Sequence, residues 1–179
     1  MALIFKKLKA ENKEMISQMA EFAGNIFFEY YDSYLPSGQA EYMKNKFLSE
    51  EAIAEKISEA HTPKVNFEFV EDERTKEKIG FVCYWIQKDE NEKNECYLDK
   101  YYLATAFRGK GFGKLIMAHL KTFCAENQLG QISLNVNKYN KTVKIYEKLG
   151  FKNVRSEVND IGSGYVMDDF VMRLFVQEA

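Results

Sequence analysis

Three apolar segments follow one another in the middle of the chain, and short charged connections separate them. Residues 65–69 alternate apolar with polar side chains, which is the two-residue period of a half-buried strand. Residues 79–86 are apolar on both faces, so this strand is expected to be buried on both. Residues 96–103 follow after a second charged turn. Connections this short favour antiparallel neighbours and predict a three-stranded meander.

Helical periodicity precedes these strands. Between residues 15 and 30 the apolar side chains recur at three- and four-residue steps, which predicts one long helix. A loop at residues 35–38 ends this helix. A second helical region follows, and Ser49 is expected to cap its last segment. Thr62 and Pro63 end that region, because the residue before a proline disfavours helical geometry.

The last third of the chain changes to a strand–helix–strand order. The helices are predicted at residues 112–124 and 143–149, on either side of a strand at 131–136. Two further strands, near 152–158 and 165–176, are joined by a turn at 159–164. A parallel pair with a right-handed crossover is the expected consequence. The predicted fold class is therefore α/β (mixed α+β), with a twisted mixed sheet of six to seven strands, antiparallel in its N-terminal part, and helices on both faces.

Composition excludes several classes of protein. The chain is 46% hydrophobic and 29% charged, which excludes disorder, and its 179 residues suit a single domain over residues 1–179. Its net charge of −2 gives no reason to expect a nucleic-acid partner. The apolar run at 81–86 is too short to span a membrane, and no signal peptide is expected. Three isolated cysteines suit buried thiols in a reducing, cytoplasmic protein: Cys83, Cys96 and Cys124.

A glycine-rich loop lies between the third predicted strand and the helix that follows it. Glycines let a backbone turn tightly and approach a ligand closely. The N–H groups at the start of the helix carry partial positive charge, so the loop suits an anion such as a pyrophosphate. Three basic side chains add to this charge. The loop reads Arg108, Gly109, Lys110, Gly111, Phe112, Gly113, Lys114.

Three interpretations of this loop compete with a plain glycine-rich turn. A Walker P-loop needs serine or threonine after its lysine, but Leu115 follows Lys114. A dinucleotide fingerprint needs three glycines spaced G-x-G-x-x-G, but these run G-x-G-x-G. The third pattern is Gln or Arg, two residues, Gly, one residue, and Gly or Ala. Arg108, Gly111 and Gly113 satisfy it.

Flanking motifs favour the third pattern. Residues 97–103 read Tyr-Leu-Asp-Lys-Tyr-Tyr-Leu before the loop, and Asn140 and the Tyr-Glu-Lys-Leu-Gly-Phe of residues 146–151 follow it. In this arrangement the chain resembles the Gcn5-related N-acetyltransferases, the GNAT superfamily, over about residues 65–176. The ending at residues 164–172 is also similar to bacterial polyamine (spermidine/spermine) acetyltransferases.

The resemblance implies a GNAT-like fold that binds acetyl-CoA, as co-substrate and without a metal, between two splayed parallel strands. Those strands correspond to residues 96–103 and 131–136. The strand main chain would contact the pantetheine, and the loop amides would hold the pyrophosphate. The implied cofactor-binding residues are Tyr101, Tyr102, Leu103, Arg108, Gly109, Lys110, Gly111, Phe112, Gly113, Lys114, Asn140 and Tyr146.

The resemblance also implies catalytic roles. Tyr146 matches the tyrosine that protonates the departing CoA thiolate, and the alternative is a core tyrosine on a helix stripe. Asp99 matches a position where some polyamine-acetylating relatives place a glutamate as base, and the alternative is an aspartate on a solvated rim. Asn140 departs by one residue from the family spacing, which falls on Tyr139, so a helix cap is its alternative.

The acceptor side of the site is expected at the end of the first helix. Phe27, Phe28 and Tyr31, with Tyr30 and Tyr34 beside them, would form an aromatic wall for an amine, unless they are core packing. Acidic side chains would attract a cationic substrate, unless they form a solvated sheet edge. These acids are Glu29, Asp32, Asp168 and Asp169.

The function that follows is transfer of an acetyl group from acetyl-CoA to a primary amine of a small molecule, with polyamines among the expected acceptors. The alternatives are a non-catalytic acyl-CoA sensor and an acetyltransferase for a protein N-terminus or lysine. A regulatory module that docks through its aromatic first helix is a further alternative. Pairing of two copies into a homodimer is an expectation that the resemblance carries.

Overall fold

The computed structural model describes residues 2–31, 35–58 and 60–176, in which strands and helices follow one another in the predicted order after one additional strand at the start. The strands are β1 (Leu3–Lys7), β2 (Val65–Asp72), β3 (Lys78–Lys88), β4 (Asn94–Leu103), β5 (Gln131–Asn137), β6 (Lys152–Gly162) and β7 (Tyr165–Phe175). The helices are α1 (Lys13–Tyr31), α2 (Gln39–Leu48), α3 (Glu50–Ile57), α4 (Phe112–Glu126) and α5 (Val143–Lys148), with a 3₁₀ turn at Thr105–Phe107.

One mixed sheet joins the strands in the order β1-β2-β3-β4-β5-β7-β6. The pairs β1–β2 and β2–β3 are antiparallel, β4–β5 is parallel, and β5–β7 and β7–β6 are antiparallel again. This confirms the predicted α/β class and places the strand count at seven. The order also puts β7 inside the sheet, between β5 and β6, because the chain crosses over before it forms its last hairpin.

Contacts divide the chain into two compact units, which are described separately. The first unit comprises Met1–Trp85 and Lys100–Ile116, and the second comprises Ile86–Asp99 and Met117–Ala179. The expectation of one domain stays a prediction. No helix in the described part of the chain is long and apolar enough to cross a membrane.

The core of the first unit lies where α1 packs on β2 and β3. The ring of Phe22 lies 5.8 Å from that of Phe69 and 6.5 Å from that of Phe81. Phe67 and Met19 are fully buried beside them. Each such side chain contributes about 1.5–3 kcal/mol by leaving water, so this aromatic layer holds α1 on the sheet.

The boundaries of the N-terminal elements follow from local chemistry with one exception. Ser49 accepts a hydrogen bond from the Ala52 N–H at 3.2 Å and caps α3, as predicted. Strand β1 was not predicted from the sequence, and it pairs antiparallel with β2 from Leu3 opposite Asp72 to Lys7 opposite Glu68. This strand lies at the sheet edge and is half exposed, so its sequence shows no alternation of buried apolar and exposed polar residues that would indicate a strand.

In the second unit, apolar side chains line one face of β5. Ile132, Leu134 and Val136 are buried and alternate with polar residues. Cys96 and Cys124 are also buried and form no disulfide. Their mutual hydrogen bond, together with burial, raises the pKa of the Cys96 thiol, so it stays protonated as a core residue.

The second unit ends in the β6–β7 hairpin, whose turn is shorter than the predicted one. Gly162, Ser163 and Gly164 have φ angles of 91°, 54° and 78° and make the reversal. Strand β6 therefore continues beyond residue 158 to Gly162. Its register with β7 shifts between Asn153 and Arg155 and again between Asp160 and Gly162.

Candidate functional site

The glycine loop of the first unit has the backbone that its sequence predicts. Gly109 and Gly111 have φ angles of 74° and 88°, in the left-handed region that favours glycine. A Cβ added at either position would meet no atom within 4 Å. These glycines are therefore required by conformation, and the space in front of the loop is open.

Five consecutive N–H groups of this loop are available to a ligand. Those of Gly109, Lys110, Gly111, Phe112 and Gly113 donate to no backbone carbonyl among the described residues. Helix α4 begins at Phe112, so the last of them are the unsatisfied donors of its first turn. A row of free donors at the start of a fifteen-residue helix suits an anion with several oxygens.

The basic residues around the loop differ in their contacts and in their exposure to solvent. Arg108 donates from Nε to the Leu103 carbonyl at 2.9 Å, and its guanidinium lies 5.0 Å from the centre of the Tyr30 ring. Lys110 and Lys114 are exposed, with the Lys110 ammonium 5.6 Å from the Phe107 ring. Arg108 therefore fixes the end of β4 while its charge stays near the loop, and the two lysines are exposed cations beside it.

Tyr101 connects β4 to the start of α4, which the sequence analysis did not foresee. Its hydroxyl donates to the Gly113 carbonyl at 2.7 Å. A Cβ on Gly113 would lie 2.8 Å from that hydroxyl, so only glycine fits there without a shift. Burial raises the pKa of Tyr101, which keeps the hydroxyl protonated and donating.

The aromatic residues predicted to line the acceptor site fall into two groups. Phe27 and Tyr31 pack together with ring centres 4.4 Å apart, and the Tyr102 hydroxyl donates to that of Tyr31 at 3.2 Å. The Tyr102 ring also stacks on Phe81 at 5.0 Å. Phe28 points elsewhere, with the Lys44 ammonium 5.9 Å from its ring.

Two further members of the predicted acceptor side, Asp32 and Tyr34, lie outside the described residues. Glu29 accepts a hydrogen bond from the Thr105 hydroxyl at 2.7 Å. Its carboxylate is therefore engaged at the start of the 3₁₀ turn.

The second unit contains the parallel pair that the resemblance predicted to splay. Strands β4 and β5 are registered at two positions, Cys96 opposite Ile132 and Tyr97 opposite Ser133. The parallel pairing itself is as expected, and a splay of the two strands beyond these positions stays a prediction.

Asn140 and Tyr146 lie on either side of the start of α5. Asn140 is 5% exposed, and its Oδ1 accepts hydrogen bonds from the N–H and the hydroxyl of Thr142 at 2.8 and 2.7 Å. This is a side-chain turn that precedes the helix, whose N-cap residue is Thr142 and has no side-chain cap, and a role for Asn140 toward the coenzyme stays a prediction. Tyr146 is half-buried, and its ring packs edge-on against Phe151 at 5.5 Å.

Asp99 lies on β4 beside an acidic neighbourhood that is more buried than the sequence indicates. Burial and the charge of Asp99 raise the pKa of Tyr97, and the charges of Asp169 and Glu157 add to the effect. Asp169 is 1% exposed, and burial, followed by the charges of Asp168 and Glu157, raises its pKa to about 6. The expectation of a sheet edge for Asp168 and Asp169 is wrong, since β7 is an interior strand, although Asp168 is only half-buried.

Comparisons with known proteins agree with this arrangement. A model of the acetyltransferase (GNAT) family matches residues 25–151. The peptidyl-lysine N-acetyltransferase YjaB of Salmonella typhimurium is 35% identical over 71 residues, which cover 38% of this chain and 46% of that protein. The match thus spans about half the length of this curated relative.

Solved structures share the fold over nearly the whole chain. The PaiA N-acetyltransferase of Thermoplasma acidophilum, in complex with coenzyme A, has a TM-score of 0.69 at 20% identity and covers 98% of this chain and 99% of its own. The spermidine/spermine N-acetyltransferase SpeG of Vibrio cholerae has a TM-score of 0.59 at 20% identity and covers 97% of this chain and 92% of its own.

Proposed function

Since the chain belongs to the acetyltransferase (GNAT) family, we propose that it is an acetyl-CoA-dependent N-acetyltransferase that acts on a primary alkyl amine. The observation that carries this proposal is the row of five N–H groups at residues 109–113, none of which donates to a backbone carbonyl of the described residues. A pyrophosphate presents several oxygens to such a row, and the positive end of α4 and the exposed Lys110 and Lys114 favour its charge. The coenzyme A in the PaiA structure supports this choice of ligand.

The reaction needs a neutral amine, and two proton transfers accompany it: one proton leaves the ammonium group and one is given to the CoA thiolate. Acetyl-CoA, when bound, supplies the thioester carbon that the amine attacks. An alkyl amine is mostly protonated at neutral pH, so a carboxylate must first take a proton from it. Asp99 is the proposed base, directly or through a water. Tyr146 is the proposed donor to the thiolate, because a phenol of ordinary acidity can protonate a thiolate.

The acceptor is a primary alkyl amine of one of two kinds. A small polyamine is supported by the ending at residues 164–172 and by the fold shared with SpeG. A lysine side chain is supported by the 35% identity to YjaB over 71 residues. Both acceptors carry a primary ammonium group on a flexible carbon chain, so the two proposals require the same chemistry from the protein.

We name the loop backbone of residues 109–113 the cradle, and we test it by adding a negative charge to it, with a matched control variant elsewhere in the chain. Gly111→Glu places a carboxylate on the loop, and Gly164→Glu makes the same change at another glycine of positive φ, 78°, that also faces open space. Both variants carry the same backbone strain, so they should lose similar stability. Only Gly111→Glu is expected to lose affinity for coenzyme A in calorimetry, by at least about a hundredfold.

Equal affinity of both variants would refute the cradle. Turnover is tested separately by CoA release from acetyl-CoA with a set of amines. Tight coenzyme binding without release for any amine would favour the acyl-CoA sensor over the enzyme.

A further inference from the structure

Strand register in the second unit brings polar side chains of four strands onto one face of the sheet. Side chains of directly opposed residues share a face, and every second residue along a strand does too. Tyr97 is opposite Ser133, Asn137 is opposite Asp169, and Asp169 is opposite Glu157. This face contains Tyr97, Asp99, Asn137, Glu157 and Asp169, together with two cations, Arg155 and Arg173.

Three carboxylates stand out on this face, and we name Asp99, Glu157 and Asp169 the acidic cluster. Glu157 lies directly opposite Asp169, and Asp99 is on the same face of the sheet. The side chain of Glu157 is 31% exposed and Asp99 is half-buried, whereas Asp169 is 1% exposed. The cluster thus has two members near the surface and one at its base.

Asp169 has an oxygen that its own chain leaves unsatisfied. Its Oδ2 is buried and accepts no hydrogen bond from any described residue. An oxygen in this state costs free energy, because it has lost water and gained no donor. Two donors of this region are engaged with other carboxylates, since Asn135 donates to Glu157 at 3.1 Å and Lys138 forms an ion pair with Asp168.

Charge makes the position of Asp169 more costly still. It lies directly opposite Glu157 on the neighbouring strand and next to Asp168 in sequence. Like charges opposite each other across a strand pair destabilise a sheet. Arg155 offsets Glu157 through a contact of 2.6 Å, and Lys138 is the cation that acts on Asp169. The native fold therefore holds a poorly compensated acid at the base of the cluster.

We propose that the acidic cluster binds the ammonium group of the acceptor amine, and that Asp169 is its principal counter-charge. This rests on the proposed function, and it gives the acceptor its chemical class: a primary alkylammonium ion, on a free amine or on a lysine side chain. An ammonium group brings three N–H donors and one positive charge. It would satisfy the Asp169 oxygen and relieve the repulsion from Glu157 at the same time.

The test compares two acceptors that differ in charge but hardly in size. Ethylamine is a cation at neutral pH, whereas trifluoroethylamine is largely neutral. Asp169→Asn keeps the shape of the side chain and removes its charge. We expect this variant to raise KM for ethylamine by about tenfold to a hundredfold, with KM for trifluoroethylamine and the Kd for coenzyme A within twofold of wild type.

A matched control removes one negative charge from elsewhere in the second unit. Glu126→Gln, at the exposed end of α4, should leave KM for both amines unchanged. Glu157→Gln is a second variant within the cluster, with a smaller expected rise in KM because its side chain is partly exposed. Unchanged KM for ethylamine in both cluster variants, or an equal rise for both amines, would overturn the proposal.

Binding without turnover separates this proposal from the proposed function. Diaminobutane and a short lysine peptide are titrated into the protein in calorimetry, with and without coenzyme A. If Asp169→Asn weakens this binding tenfold, the acidic cluster is supported even where no CoA is released. The lack of CoA release would then contradict only the proposed acetyltransferase activity. Binding that the variant leaves intact rejects the cluster. The tighter of the two probes identifies the source of the ammonium group.

Discussion

The contact between Tyr101 and Gly113 leads to a prediction about stability. Gly113→Ala should destabilise the wild-type protein but stabilise the Tyr101→Phe variant. In the wild-type chain, Gly113→Ala would place a methyl group 2.8 Å from the Tyr101 hydroxyl, closer than real contacts allow. The ring must then move and give up its hydrogen bond of 2.7 Å to the Gly113 carbonyl. Losing that bond and moving the ring to make room cost about 1–3 kcal/mol together.

The same substitution carries an opposing gain. Alanine is a better helix former than glycine by up to about 1 kcal/mol, and Gly113 is the second residue of α4. The net expectation for Gly113→Ala in the wild-type chain is therefore a loss of about 1–2 kcal/mol in the free energy of unfolding.

Removing the hydroxyl should turn this loss into a gain. In Tyr101→Phe the nearest ring atom to the added methyl group is the ring carbon at 4.0 Å, which is an ordinary van der Waals distance. Gly113→Ala should then stabilise the Tyr101→Phe protein by up to about 1 kcal/mol. The coupling energy between the two sites is about 2 kcal/mol, within the range for residues in contact.

Urea denaturation of the four proteins measures this coupling, with the slope of the transition as a check that the denatured state is unchanged. Additive effects, with Gly113→Ala equally costly in both backgrounds, would show that the hydroxyl does not set the need for glycine. Calorimetry with coenzyme A on the same proteins asks whether the contact also shapes the loop, because the Gly113 N–H belongs to the proposed cradle.

Three further predictions concern single side chains. Tyr146→Phe should lower kcat by about tenfold to a thousandfold with little change in coenzyme Kd, and an unaltered kcat in the CoA-release assay would reject its acid role. A hydrogen bond from Arg173 holds the pKa of Glu90 at about 2 instead of 4.5, so its stabilisation is full above about pH 4.5 and is lost as the pH falls towards 2. Glu90→Gln should flatten the fall in Tm across that window, and melting curves parallel to wild type would contradict this. Burial raises the pKa of Asp169 from 3.8 to about 6, so the native state loses stability as the pH rises through that range. Asp169→Asn should therefore be more stable than wild type at pH 7 by up to ~3 kcal/mol and similar near pH 3, and a difference that does not grow with pH would count against it.

The parts of the fold that sequence predicts are those with a local cause. Helix α1 follows from its apolar stripe, and the cap of α3 follows from a serine before two glutamates. The left-handed angles of Gly109 and Gly111 follow from the residue type in a tight turn. The family motifs place the loop between a strand and a helix, which is where the structure has it.

The parts that sequence misses depend on contacts between distant segments. Strand β1 forms because β2 offers it an edge, which nothing in its own five residues indicates. Asp169 is buried because β7 inserts between β5 and β6, and the order of strands cannot be read from their order along the chain. The hydrogen bond from Tyr101 to Gly113 likewise needs the tertiary structure.

The two register shifts in β6 bear on how copies of this chain behave when crowded together. Strand β6 ends the sheet, so its outer backbone groups could pair with a neighbour in solution. A visiting strand would find an uninterrupted ladder only from Arg155 to Asp160, because the shifts bend the backbone on either side. The irregular hairpin thus shortens the regular edge that a second strand would need for pairing with this sheet.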